Sequence, residues 1–301
     1  MSPQAGREVA VLVSPSAGRG RASALSGVVL DVLRQAGLSP RVLTATTGAE
    51  AEREAAAAVA AGTGGLIAVG GDGAVHAALQ AVACTTTPLA VVPAGTGNDL
   101  ALALGIPGDA VSAARAAAED LLAGTSRSFD AGRTGDRWWA TVLCCGFDSA
   151  VTDRANRLRW PRGRRRYDVA ILAELARLRP REVDLVLDGE RRTVAVTLIA
   201  VGNTPWYGGG MKVCPGADAT DGTFDVTVVG PMGRLELVRS RPRLTAGNHV
   251  LHPIVTVHRA ARVELASPGV TTYADGEPVA PLPVVAECVP GAVRIVGTGR
   301  R

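Results

Sequence analysis

Aromatic side chains are scarce in this sequence: three Phe, three Tyr and four Trp make up 3% of it. The core therefore rests on Ala, Val, Leu and Gly. No basic stripe interleaves with stacking aromatics, which argues against a nucleic-acid partner. No apolar run approaches the roughly 18 residues of a membrane-spanning helix. The opening MSPQAGREVAVLVSPSAG has too short an apolar stretch for a secretory signal. The five cysteines (Cys84, Cys144, Cys145, Cys214 and Cys288) contain no C-x-x-C pair, which argues against zinc. Their odd number, in strand-like runs, suggests a reducing, cytoplasmic setting. The expectation is a chain that is soluble or lies on the inner face of a membrane without crossing it.

What is present points to two packed domains within 301 residues. Up to about residue 129, strand and helix signals alternate. Strand-like EVAVLV, SPRVLTA, GLIAVGG and PLAVVPAG are separated by helical patterns over 22–36 and 49–61, then AVHAALQAVA and DAVSAARAAAEDLLAG. Such alternation predicts a parallel sheet with helices on both faces. From residue 130 onward the runs are strand-like and divided by turn signals, with one long helical pattern near 165–179. The fold class expected is an α/β domain over 1–129 followed by an antiparallel, β-sandwich-like domain over 130–301.

Three glycine turns follow strands of the first part: Gly18-Arg19-Gly20, Gly70-Gly71-Asp72-Gly73 and Gly95-Thr96-Gly97-Asn98-Asp99. In a parallel sheet they should converge outside the carboxyl ends of the strands, where nucleotides bind. The loops lack the lysine of a Walker A motif. Leu100 stands where G-x-G-x-x-G needs its third glycine, so the dinucleotide fingerprint fails. Asp72 and Asp99 place carboxylates beside the phosphate turns. Carboxylates are tolerated there when Mg²⁺ lies between them and phosphate. Asp72 could equally cap a helix beginning near Ala74.

The segments GGDG, PAGTGND, GNTPWYGGGMKVCPGADATDGTFDV and a late DGE, in that order, resemble the diacylglycerol kinase catalytic family, which includes sphingosine and ceramide kinases. The resemblance covers nearly the whole chain. It implies an ATP-dependent lipid kinase, most simply one converting diacylglycerol to phosphatidic acid, with its active site in a cleft between two domains. Ser14, Pro15, Ser16, Ala17 and Gly18 match the loop near the nucleotide, and Thr44 a nucleotide-contacting threonine. Gly70, Gly71, Asp72, Gly73, Ala74, Val75 and His76 match the phosphate loop, with Asp72 serving Mg²⁺ and the transferring phosphate. Thr96 and Asp99 match a second phosphate-side pair. Asp221 would hold a structural Mg²⁺ through its side chain, with backbone oxygens of Asp218 and Thr223. Glu277 matches the general base. The triplet at Asp188-Gly189-Glu190 reads as a turn alone. Ser14, Ala74 and His76-Ala77 depart from the family's usual Asn, Thr and Asn-Glu, which admits a weakly active or purely binding protein. An NAD kinase shares the GGDG turn but should lack the GGGMKVCPGAD segment. Family members often pair, which admits a homodimer.

A net charge of +4 and a pI near 9.0 suit acidic small molecules or an anionic membrane surface. The run RANRLRWPRGRRRY, Arg154 to Tyr167, concentrates that charge. It reads either as a solvated loop before a core helix or as a basic, aromatic surface for lipid headgroups. Trp138-Trp139 reads as core, Trp206-Tyr207 as cleft lining, and His249, His252 and His258 as ordinary surface or strand residues.

Overall fold

The computed structural model describes residues 7–14, 21–158, 160 and 164–298. The chain forms two units, Met1–Ala131 with Val289–Arg301, and Gly132–Cys288. The first contains β1 (Glu8–Val13), α1 (Arg21–Gln35), β2 (Ser39–Leu43), α2 (Gly48–Ala60), β3 (Leu66–Gly70), α3 (Asp72–Val82), β4 (Leu89–Pro93), α4 (Asp99–Ala103) and α5 (Ala110–Ala123). Strand β5 (Arg127–Thr134) leads into the second. There follow β6 (Arg137–Trp139), β7 (Val142–Gly146), α6 (Phe147–Arg157), α7 (Arg164–Ala176), β8 (Arg181–Leu187), β9 (Glu190–Val196), β10 (Leu198–Gly202), β11 (Trp206–Tyr207) and β12 (Met211–Lys212). The unit is completed by β13 (Phe224–Val229), α8 (Arg234–Ala246), a 3₁₀ turn (Asn248–Leu251), β14 (Val255–Ala260), β15 (Arg262–Ala266), β16 (Thr271–Ala274), β17 (Glu277–Pro281) and the start of β18 (Val284–Val296).

In the first unit the strands pair in parallel in the order β2-β1-β3-β4, and the far end of β18 adds beyond β4. Strands β3 and β4 are buried at every residue, as strands covered on both faces must be. Up to the terminal Gly70 and Pro93 their residues are Leu, Ile, Val and Ala, without alternation. Helix α1 packs with α5 and α2 with α3. Local chemistry sets the helix ends: Thr47 and Glu50 close a capping box on α2. Asp109 caps α5, which stops at Gly124 in the left-handed region at φ 66°.

The second unit is a β-sandwich. One antiparallel sheet runs β14-β13-β10-β7-β16-β17, and β15, β8 and β9 follow one another beside β18 in the other. Strand β10 shows how the sequence builds it. Ile199 and Val201 face the inter-sheet core with Trp139, Leu143, Phe224, Leu185 and Leu265. The alternate residues Leu198 and Ala200 face a second cluster with Cys144, Val213, Cys214 and Met232. Trp139 stacks on Phe224 at 5.0 Å. Its cross-strand partner Gly132 has no choice of side chain: a Cβ there would lie 2.1 Å from the indole.

Several expectations need correction. A division that assigns everything after residue 129 to the second domain misses the return of β18 to the first sheet. A strand pattern identifies a strand but not the sheet that receives it. Among the described residues the second unit holds three α-helices, not one. Helix α6 overlaps the arginine run, which masks its apolar face of Phe147, Val151 and Ala155, and α8 carries Pro242 inside it and has no fully buried residue. Helix α7 is half a core helix: Ala170 is buried against α6, while Val169 is 42% and Leu172 67% exposed. Cys84 is exposed in the turn after α3, and His249 is buried with Nε2 3.1 Å from the Val213 carbonyl.

Candidate active site

The order β2-β1-β3-β4 places a topological switch at β1 and β3, where α/β sheets open a crevice beyond the strand carboxyl ends. Ser14 follows β1 there, and its N–H donates to the Val69 carbonyl at 3.1 Å. The rest of the first turn, Pro15, Ser16, Ala17 and Gly18, lies outside the described residues. Thr44 follows β2 and is exposed. Gly70 ends β3, Gly71 is the N-cap of α3, and Asp72, Gly73, Ala74, Val75 and His76 form its first turns. The helix thus starts at Asp72, two residues before the expected Ala74.

Asp72 caps a helix, but not its own. Its Oδ2 accepts the Asn98 N–H at 3.0 Å and its Oδ1 the Asp99 N–H at 2.8 Å, at the start of α4. The carboxylate therefore ties the second glycine turn to the third. The turns also touch backbone to backbone: a Cβ on Gly95 would lie 2.4 Å from the Gly71 Cα. Asn98 sits in the left-handed region at φ 57°, and its Oδ1 accepts the Gly95 N–H at 3.0 Å. Gly97 lies between carboxylates. A Cβ on it would be 2.4 Å from Asp72 Oδ2 and 3.7 Å from Asp99 Oδ2. Both Asp72 oxygens accept backbone N–H groups, and as carboxylate oxygens they are hard donors. This hard-oxygen donor set, next to the N-terminus of α3, fits a magnesium-bound phosphate. Thr96 is exposed at the tip of the third turn, Asp99 is buried, and the buried His76 ring stands 3.4 Å from the Gln80 amide.

In the second unit, Glu277 opens β17 after a two-residue turn, Asp275-Gly276, with both residues at positive φ. Glu277 is exposed and stands opposite Ala274. Sequence reasoning missed Asp275, which holds that turn. Its carboxylate accepts the Ala140 N–H at 3.0 Å, the Thr141 N–H at 2.9 Å and the Thr141 hydroxyl at 2.6 Å. Asn203 closes the arrangement, donating its amide to the Ala140 carbonyl at 2.8 Å. The triplet at 188–190 uses the same device: Asp188 accepts the Ala261 and Arg262 N–H groups. The triplet is thus a turn module, and only the Asp-Gly hairpin signal was legible.

The implied structural metal loop is built differently. Asp218 Oδ1 accepts the Thr220 N–H and hydroxyl, and Asp221 Oδ1 those of Thr223 at 3.0 and 2.8 Å. Asp221 Oδ2 takes the guanidinium of Arg259. Arg259 stands opposite Asp225 across β13 and β14 and lies 3.7 Å from its carboxylate. Here the Arg259 guanidinium occupies the Asp221 oxygen that would face Mg²⁺. Burial pushes the Asp225 carboxyl up, against the pull of Arg259.

Two further features lie in this unit. Asp148, at the start of α6, accepts the Tyr207 hydroxyl at 2.5 Å, and burial pushes its carboxyl up to about 6. Tyr207 therefore pairs with a carboxyl, while the Lys212 ammonium stands 5.1 Å over the Trp206 ring. Of the arginine run, Arg154 pairs with Glu174 and Arg157 with Asp153, and Tyr167 packs beside Val151, Ala155 and Ala170. This part is helical and charge-paired rather than a solvated loop. Arg159, Pro161, Arg162 and Gly163 lie outside the described residues.

Comparison with known proteins agrees with this architecture. Residues 8–134 match the diacylglycerol kinase catalytic domain, and 141–297 match the YegS C-terminal NAD kinase beta sandwich-like domain. A diacylglycerol kinase of Mycobacterium tuberculosis is 41% identical, over 96% of this chain and 94% of that one. A diacylglycerol kinase of Bacillus subtilis is 27% identical over 85% and 84%. The crystal structure of a diacylglycerol kinase from Bacillus anthracis shares the fold, with a TM-score of 0.73 over 96% of both chains at 18% identity. An NAD kinase from Archaeoglobus fulgidus in complex with ATP is similar at a TM-score of 0.54 and 12% identity, over 96% and 92%. The chain belongs to the diacylglycerol kinase family of lipid kinases, with a diacylglycerol kinase catalytic domain followed by a YegS-type C-terminal domain.

Proposed function

We propose that this protein transfers the γ-phosphate of MgATP to a lipid hydroxyl, and that diacylglycerol is the acceptor and phosphatidic acid the product. The observation that carries the donor side is the pair of glycine turns clamped by Asp72 at the sheet's switch point. Backbone N–H groups at the start of α3 receive phosphate oxygens, and the glycines let them approach. Ser14 and Thr44 flank the nucleotide at the ends of β1 and β2, and Thr96 offers its hydroxyl beside the phosphates. Asp72 and Asp99 would hold the magnesium ion of the nucleotide, whose charge offsets that of the phosphates. Glu277 accepts the lipid hydroxyl's proton as that oxygen bonds to the γ-phosphorus and the bond to ADP breaks. The identity to the mycobacterial diacylglycerol kinase supports the choice of lipid. A substrate held in a bilayer requires peripheral docking on the membrane's inner face.

The test is transfer of labelled phosphate from MgATP to diacylglycerol, monoacylglycerol, ceramide, sphingosine or NAD. Label in diacylglycerol alone is the expected result. Label in NAD alone overturns it in favour of an NAD kinase. Glu277→Gln should lower kcat by about 10²–10⁴-fold with an unchanged melting curve. Full activity in that variant would remove Glu277 from the role of base.

A further inference from the structure

Helix α8 meets the core through the partly buried Leu237 and Leu244. It has no fully buried residue, and Pro242 inside it removes a helical hydrogen bond. Leu235 is 73% and Val238 53% exposed, one turn apart on one face. Leu251, in the 3₁₀ turn against which α8 packs, is 82% exposed. Around these apolar tips stand Arg234, Arg239, Arg241 and Arg243. None of the four has an acidic partner among the described residues. Elsewhere in the unit Arg133, Arg154, Arg157, Arg192, Arg259 and Arg262 are ion-paired, while Arg165, Arg177, Arg179, Arg181 and Arg191 have no ion pair among the described residues either. The helix's one acid, Glu236, is engaged by His252 at 3.3 Å. On its other side α8 packs on β12, which adds Lys212 and the Trp206 ring beneath it.

Exposed leucines ringed by unpaired arginines match one kind of partner. The apolar tips enter the acyl boundary of a bilayer, and the guanidinium groups meet lipid phosphates. We propose that α8, with Leu251, is the surface by which this protein docks on an anionic phospholipid bilayer. The proposal takes its bilayer from the lipid-kinase reading, but docking is measured without turnover. It also places docking apart from Arg154 and Arg157 of the arginine run, which are already ion-paired.

The experiment is co-sedimentation of the full chain with vesicles of phosphatidylcholine, alone or mixed equally with phosphatidylglycerol. The wild type should bind the mixed vesicles and lose binding as salt rises. Replacing Arg239, Arg241 and Arg243 by Gln should weaken binding about 100-fold, at roughly a factor of five per arginine. Leu235→Glu with Val238→Glu should weaken it at least about tenfold. These positions are exposed, so melting curves should match the wild type. Transfer to a short-chain, water-dispersed diacylglycerol should be unchanged. If no protein labels any lipid, the kinase reading fails while the vesicle result stands. Wild-type binding in both variants overturns the docking surface, as does equal binding to neutral vesicles. A dimer that the double Glu variant makes monomeric, with no vesicle binding, would assign the face to a second copy of the chain.

Discussion

At the mouth of a phosphate-type turn, an uncommitted carboxylate would repel the anion the turn is built to receive. Asp72 is not uncommitted: both oxygens accept backbone N–H groups of the next turn. The sequence displayed the aspartate and the glycines around it. It could not display partners 26 and 27 residues away, because their approach depends on β3 and β4 lying side by side. Arg259 on Asp221, 38 residues apart, was hidden for the same reason. The Asp148–Tyr207 pair yields a prediction at this scale. Asp148 has an ordinary carboxyl value of 3.8 and sits near 6 in the fold. Between those values the folded protein holds a proton that the unfolded chain has released, so stability falls as pH rises from about 4 to 6 and is flat above. Asp148→Asn should relieve a penalty on the order of 3 kcal/mol at pH 8 and change little at pH 4. Melting temperatures of both proteins at the two pH values check it, and an equal shift at both would refute it.

Elements were the most legible level, because caps, glycine stops and apolar runs act over a few residues. The strands at Glu8–Val13, Leu66–Gly70 and Leu89–Pro93 and the helix at Gly48–Ala60 were all visible in pattern. Helices α6 and α8 were not, since one overlaps an arginine run and the other carries Pro242 inside it. The glycine turns were visible, but their mutual contact was not. That contact is testable. Gly95→Ala would press a methyl group into the Gly71 backbone, costing about 1–3 kcal/mol and several degrees of Tm. Gly108→Ala, where a Cβ meets nothing within 4 Å, should leave Tm nearly unchanged. Equal melting curves for the two variants would show that the turns have room to part.

For the molecule as a whole, alternation of elements made the parallel sheet legible, and turn-divided strands the sandwich. The return of the chain through β18 was not, because no local property of PVVAECVPGAVRIVG says that its end pairs with Leu89 and Ala90. A fragment ending at Ala131 should therefore leave β4 with a bare, fully buried-type edge. Such a fragment should bind a hydrophobic dye and aggregate on size exclusion, and supplying 289–298 through a flexible linker should restore a monomer. A soluble, cooperatively melting fragment would contradict this. The same strand orders events in time. During synthesis the nucleotide-type sheet is translated first, yet its outermost neighbour leaves the ribosome only after the entire sandwich has been made. A ribosome that pauses anywhere in between holds an unfinished sheet open to the cell, so the speed of translating the second half bears on the survival of the first.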